Sequence, residues 1–225
     1  MRKRVLWGHD SEDYREMFDL TQEDLHSSIL EYGCGPSAFN VQQTLNQHRI
    51  VSCDPLFVLD KDTLSSKASM IFANTADEIE KDYSDFSHKG SLEQLIADRK
   101  KGMNLFFEDY HSGKEQGRYM GVTDDHLPFK DFSFDFALVS HYLFEDLYDQ
   151  TVEFHLAVIR ELARVAKEVR IFPLTDRHSN TSEFLGPVLL GLQQENYGVE
   201  VREVPFHFHH SGNAMLRVWA QHCMI

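Results

Sequence analysis

The chain has 225 residues, enough to bury one sizeable core, and neither its length nor its makeup calls for more than a single domain over 1–225. An apolar fraction of 42% with 17 Phe excludes a disordered chain, and a net charge of -14 repels phosphate backbones and disfavours nucleic acid as a partner. Three cysteines, Cys34, Cys53 and Cys223, are an odd number without metal-ligand spacing, which points away from a disulfide scaffold and toward a cytoplasmic setting.

Met1-Arg2-Lys3-Arg4 is basic, but Gly8-His9-Asp10 interrupts the apolar residues behind it, so no signal-peptide core forms, and no run approaches the ~20 apolar residues of a membrane span. Trp7, Tyr14, Met17, Phe18 and Leu20 recur at near-helical spacing and predict a helical segment over about 5–25 that packs on the fold's edge. Ile29 to Phe39 then reads as strand, tight turn and helix: a short apolar run, Glu31, and Gly33 and Gly35 one residue apart. The helix spans about Ala38 to Asn46. A second strand, Arg49 to Cys53, delivers Asp54 about 20 residues beyond the glycine turn, a spacing suited to a ribose diol, and Pro55 stops it.

The stretch from about 58 to 117 exceeds an ordinary crossover and is an insertion. Thr75 to Tyr83 predicts one helix. Ser91-x-x-Gln94 is a capping box opening an apolar series at Leu92, Leu95, Ile96, Met103, Phe106, Phe107 and Tyr110, a face that docks on the sheet or roofs a ligand. Arg118 to Val122 is a third strand and Phe134 to Ser140 a fourth, apolar throughout as a strand covered on both sides requires. Val152, Leu156, Ile159, Ala163 and Ala166 form a helical stripe, Val169 to Pro173 a fifth strand, and Ser182 to Glu195 a helix stopped near Gly198. Val199 to Val204 and Ala214 to Ala220 close the chain as two strands able to pair as an edge hairpin. This alternation specifies an open, doubly wound α/β sheet.

Gly33-x-Gly35-x-x-Ala38 also satisfies a relaxed dinucleotide fingerprint. Against that ligand, Pro36 removes one backbone donor where the helix begins, and Glu31 sets a negative charge where a diphosphate would lie. An acid there suits a ligand carrying an ammonium and a sulfonium, that is, S-adenosylmethionine. Here the residues resemble the class I S-adenosylmethionine-dependent methyltransferases, whose first motif is acid-x-Gly-x-Gly. Leu127-Pro128-Phe129 followed by Ser133-Phe134-Asp135 and the apolar run to His141 is similar to that family's fourth-strand segment. The chain departs from the pattern at Ser37, where a third glycine is common, and at Thr123, where many relatives carry an adenine-contacting acid.

The resemblance implies a seven-stranded, mostly parallel Rossmann-like sheet with helices on both faces and a reversed terminal strand. It also implies S-adenosylmethionine as cofactor, held by Glu31, Gly33, Cys34, Gly35, Asp54, Pro55 and Ser140, with Asp124, Asp125 and His126 on the adenine side. The implied activity is methyl transfer to a small-molecule acceptor, or to a protein side chain, by in-line displacement.

Such a displacement needs a base only when the acceptor must lose a proton. His141, just past the fourth strand, is the leading candidate for one; Tyr142, Glu145 and Asp146 follow. Packing against the cofactor is the competing role for His141. His207, His209 and His210 alternate on a strand-like stretch but lack a nearby Cys or acid, so no metal is expected. Two other functions fit the same pattern: a non-catalytic S-adenosylmethionine-binding partner subunit, and a nicotinamide-dependent oxidoreductase. No oligomeric state is legible.

Overall fold

A computed structural model describes residues 7–81, 91–123, 126–144, 150–176, 180–206 and 213–220. Its elements, in order, are α1 (Ser11–Met17), α2 (Gln22–Leu25), β1 (Ile29–Tyr32), α3 (Phe39–Leu45), β2 (Ile50–Asp54), a 3-10 turn (Pro55–Val58), α4 (Lys61–Lys81) and α5 (Leu92–Glu115). They continue with β3 (Tyr119–Gly121), β4 (Phe134–Ser140), α6 (Val152–Val165), β5 (Ala166–Phe172), α7 (Leu185–Gln194), β6 (Tyr197–Glu203) and β7 (Ala214–Ala220). The strands form one open sheet in the order β3-β2-β1-β4-β5-β7-β6, parallel except for β7, which runs antiparallel to both its neighbours. This is the doubly wound, mostly parallel seven-stranded sheet expected from the sequence.

All four residues of β1 are buried, because helices cover both faces. Its side chains alternate between two cores: Leu30 and Tyr32 join Ala137, Val139, Ile159, Leu162 and Ile171 on one face, and Ile29 joins Tyr14, Phe18, Phe39, Leu138 and Met215 on the other. Asp135 fixes the entry to the sheet. Its carboxylate accepts from the Ser28 backbone N–H at 2.9 Å and from the Ser28 hydroxyl at 2.8 Å, and it pairs with Lys167 at 2.7 Å. These partners, Lys167 first, hold its carboxyl down at about 2.

The insertion is a pair of long helices. α5 turns its apolar face inward, so that Met103, Phe106, Phe107 and Tyr110 pack with Phe57, Leu64 and Tyr119 in a third core. α4 is longer than the Thr75–Tyr83 stretch expected: it begins at Lys61, and its mostly polar surface gives little periodic signal there. The Ser91 cap is half of the expected box. Ser91 Oγ accepts from the Gln94 N–H at 3.2 Å, while the Gln94 side chain turns to Asp98 instead.

Three local expectations are corrected. The inward face of α6 is His155, Val158, Ile159, Leu162 and Ala163; Ala166 is already the first residue of β5, because helix passes into strand with no loop between. β5 accordingly starts three residues before the expected Val169. α7 ends in a left-handed residue at Asn196 (φ 62°), not at Gly198, which lies within β6 beneath the Trp219 ring.

Candidate functional site at the carboxyl ends of β1, β2 and β4

Strand order reverses between β1 and β4, since β2 and β3 extend one way and β5 the other. In open α/β sheets ligands bind in the crevice at such a switch point. Tyr32 lies opposite Cys53 of β2 and Val139 of β4, so the glycine turn after β1, Asp54 and Ser140 come to one rim.

Gly33 and Gly35 both adopt left-handed backbone, with φ of 66° and 57°. Tyr142 packs directly on Gly33: a Cβ there would lie 2.5 Å from Tyr142 Cγ. The Tyr142 ring is buried edge-on to Tyr32 at 5.5 Å, which makes it a wall of the turn. Asp54 is wholly buried. Its two oxygens accept from Gly35 N–H and Leu56 N–H, each at 2.7 Å, tying the glycine turn to the 3-10 turn that Pro55 begins. Asp54→Asn replaces one acceptor oxygen with a donor facing a backbone N–H, and is expected to cost about 1–3 kcal/mol. Urea denaturation of both proteins checks this, and equal midpoints would contradict it.

Glu31 is 1% exposed. Its Oε2 accepts from Ser52 Oγ at 2.5 Å, and Asn40 Nδ2 donates to the same Ser52 oxygen at 2.8 Å. Oε1 is buried with no hydrogen-bond partner among the described residues. Burial pushes the carboxyl up from its ordinary value, while Ser52, Tyr14, Ser37 and Cys34 around it pull the other way. A buried carboxylate with an oxygen to spare suits a cationic ligand.

The start of α3 is, by contrast, already satisfied. Ser37 N–H donates to the Gly35 carbonyl, Ala38 N–H to the His9 carbonyl at 2.8 Å, and Phe39 N–H to Ser37 Oγ at 3.0 Å. The Ser37, Ala38 and Phe39 amides are thus bonded within the chain, which leaves fewer donors for a diphosphate at this turn.

The bond from Ala38 brings in residues missed at the sequence level. Residues 7 to 10 cross the glycine turn and are pinned on α5, where a Cβ on Gly102 would meet the Gly8 carbonyl oxygen at 2.1 Å. Asp13, in the first turn of α1, accepts from both guanidinium nitrogens of buried Arg99 and sits 3.2 Å from His9 Nδ1. The His9 ring is 5% exposed and stacks on His141, with centroids 4.9 Å apart at 7°. Phe206 stands edge-on to His9 at 6.1 Å, and Phe172 edge-on to His141 at 5.9 Å. Asp10 and Asp13 form the capping box that starts α1, and the same Asp13 carboxylate also serves His9.

Burial, then the Arg99 charge, pushes His9 down to about 3, while Asp13 opposes them, and the Asp13 carboxyl itself is held below the carboxylate range by His9 and Arg99. His9 therefore favours the folded state only while neutral. Acidification from pH 6.5 to 5 should cost about 2 kcal/mol through this residue, since the unfolded chain takes up a proton that the folded one refuses. Denaturation curves of wild type and His9→Gln at the two pH values test this; parallel losses in both would show that other groups govern the acid response.

The remaining expected site residues are placed as follows. Ser140 is buried with its Oγ 2.9 Å from the Tyr14 hydroxyl, and Tyr14 stacks on Phe39, so Tyr14 reaches the site whereas Trp7 stacks on Phe72 of α4. Cys34 is half-buried against the core beneath Phe57. Cys53 is a buried thiol pushed up by burial and then by Asp54 and Glu31, a setting that keeps it inert. The His126 ring is exposed beside Glu161 of α6, 3.5 Å away. Glu161 and Arg164 also hold the Leu127–Phe129 backbone, so that segment is anchored by α6. Asp124, Asp125, Glu145, Asp146, His207, His209, His210 and Cys223 lie outside the described residues. Among the described residues no cluster of three or more His, Cys, Asp or Glu is placed to hold a metal, and no helix is long and apolar enough to cross a membrane.

No protein-family model matches the chain. It is 26% identical over 221 residues to the uncharacterized protein MJ0045 of Methanocaldococcus jannaschii, covering 96% of each. Among solved structures it is similar to a TehB-like SAM-dependent methyltransferase from Corynebacterium glutamicum, with a TM-score of 0.47, 14% identity, and coverage of 97% of this chain and 89% of that one. It is also similar to the pyocyanin biosynthetic protein PhzM, with a TM-score of 0.47 and 14% identity over 93% of this chain, which spans only 54% of PhzM. These are likenesses of fold; the chemistry rests on the residues at the switch point.

Proposed function

We propose that this chain is an S-adenosylmethionine-dependent methyltransferase acting on a small molecule. The observation that carries the reading is Glu31: a buried carboxylate with an unused oxygen, beside two left-handed glycines at the switch point, with Asp54 at the end of the adjoining strand. Glu31 would hold the cofactor's ammonium, the bare backbone of Gly33 and Gly35 would admit its chain, and Asp54 would face the ribose hydroxyls. Bound S-adenosylmethionine supplies an electrophilic methyl group on a sulfonium. The protein's share of the work is to fix the line of attack and to exclude water, which the buried shell of Tyr14, Ser140 and Tyr142 favours.

Calorimetric titration with S-adenosylmethionine and S-adenosylhomocysteine tests the reading. Binding of both at micromolar concentration is expected; absence of heat and of thermal shift with either, on folded protein, would remove it. Titration with NADH under the same conditions is expected to give nothing, because the Ser37, Ala38 and Phe39 amides are bonded within the chain and Glu31 is an acid beside the turn.

A further inference from the structure

We propose that His9 is the catalytic base of the transfer, with Asp13 and Arg99 as its positioning residues, and that the acceptor is a hydroxyl that gives up its proton as it is methylated. This rests on the methyltransferase reading of the same site.

The imidazole has two nitrogens on opposite edges. Nδ1 is taken by Asp13, whose other contacts are the Arg99 guanidinium and the Asp10 backbone N–H. That leaves Nε2 on the far edge of the ring, shut from solvent and without a partner among the described residues. A buried imidazole nitrogen left unbonded on the edge facing away from its orienting carboxylate calls for a ligand. An orienting carboxylate on one nitrogen and a lone pair on the other is the arrangement a base requires.

Position agrees with chemistry. The His9 carbonyl is bonded to Ala38 just past the glycine turn, and its ring lies flat on His141 at the end of β4. A cofactor held by Asp54 at β2 and Glu31 at β1 would present its methyl to groups at this rim, His9 among them. Beyond lie Phe172 and Phe206, edge-on to each other at 5.5 Å, which with the two imidazoles make a flat-walled, aromatic surround for an acceptor.

The step balances without a further reactant. The acceptor's lone pair forms the new bond to carbon, and the carbon–sulfur pair returns to sulfur and neutralises the sulfonium. The acceptor's proton passes to His9 Nε2, where Asp13 offsets the imidazolium charge, and water then removes it. The low basicity of His9 is no obstacle for a hydroxyl acceptor, because an oxygen that has gained a methyl while keeping its proton is a strong acid.

Sinefungin tests this without knowledge of the acceptor, since it replaces the S-methyl of the cofactor with an amine-bearing carbon. The amine should donate to His9 Nε2, so sinefungin is expected to bind about ten- to a hundredfold tighter than S-adenosylhomocysteine. In His9→Phe, which keeps a ring on His141 but removes the nitrogen, that preference should fall to about one while affinity for S-adenosylhomocysteine stays put. His9→Gln, with an amide oxygen reaching the same place, should restore part of it. An unchanged preference in His9→Phe overturns the proposal, whereas failure of the wild type to bind S-adenosylhomocysteine overturns the methyltransferase reading beneath it. Should His9→Phe not fold, the ¹⁵N resonance of Nε2 in the wild type decides. It must move with sinefungin and not with S-adenosylhomocysteine, and an equal response to both overturns the proposal.

Discussion

Gly33→Ala is expected to lose about 2–5 kcal/mol of stability and all measurable affinity for S-adenosylhomocysteine. Two costs combine. The backbone at 33 is left-handed, with φ 66°, where a Cβ is disfavoured by about 1–2 kcal/mol. The new methyl would also sit 2.5 Å from Tyr142 Cγ and 2.7 Å from its Cβ, atoms close to the backbone of a buried residue that cannot swing aside. Displacing Tyr142 from Tyr32 opens the rim where β1 meets β4. A drop in Tm of roughly 5–15 °C should follow. Gly117→Ala is the control, because Gly117 has a φ of 72° but open space around the added carbon. It should lose only about 1 kcal/mol and keep its affinity. Equal losses in the two variants would show that backbone conformation, not the close approach of Tyr142, sets the requirement for glycine.

Glu31→Gln should separate stability from binding, moving them in opposite directions. Burial raises the carboxyl of Glu31, so the folded protein holds that proton more tightly than the unfolded chain does. Its stabilising effect is complete below the ordinary carboxylate range and is lost as pH rises through the folded value. Above that value the ligand-free protein carries a buried anion whose Oε1 has no hydrogen bond among the described residues. Glutamine removes that charge at nearly the same volume, so at pH 8 the free variant should match or exceed the wild type, by about 1–2 kcal/mol. Affinity for S-adenosylhomocysteine should fall a hundredfold or more, because the ligand's ammonium loses its counter-charge in a dry site. For the wild type, affinity should climb with pH until Glu31 is ionised and then level off. Retained affinity in Glu31→Gln would mean that the ammonium is held elsewhere.

The parts of the fold that the sequence displayed are those in which one residue does one thing. Gly33, Gly35 and Asp54 stood out because glycine at a strand end and an acid about 20 residues later have few other uses, and the apolar run 134–140 could only be a covered strand. Boundaries were lost where signals overlap. Ala166 continued the stripe of α6 while belonging to β5, and Gly198 resembled a helix stop while Asn196 made the left-handed turn. His9 was invisible for a different reason. Its partners are four and 90 residues away in the chain, and the Gly8–Gly102 contact and the Ala38–His9 bond, which no pattern announces, bring the N-terminal segment over the turn beside Arg99. Arg99-Lys100-Lys101 looked like a basic run, yet Arg99 is buried against Asp13 and only the two lysines face solvent.

Because β7 follows β6 in the chain but sits between β5 and β6, the sheet is completed from the inside. A nascent chain that has emerged as far as β6 has nowhere to place it, and β5 must wait with Val169 and Ile171, both fully buried in the finished molecule, along an open edge. Ribosome-arrested chains stopped before Ala214 should therefore be captured by chaperones or aggregate, whereas chains released after Ala220 should not; equal solubility of the two would mean that β6 finds a temporary berth on β5.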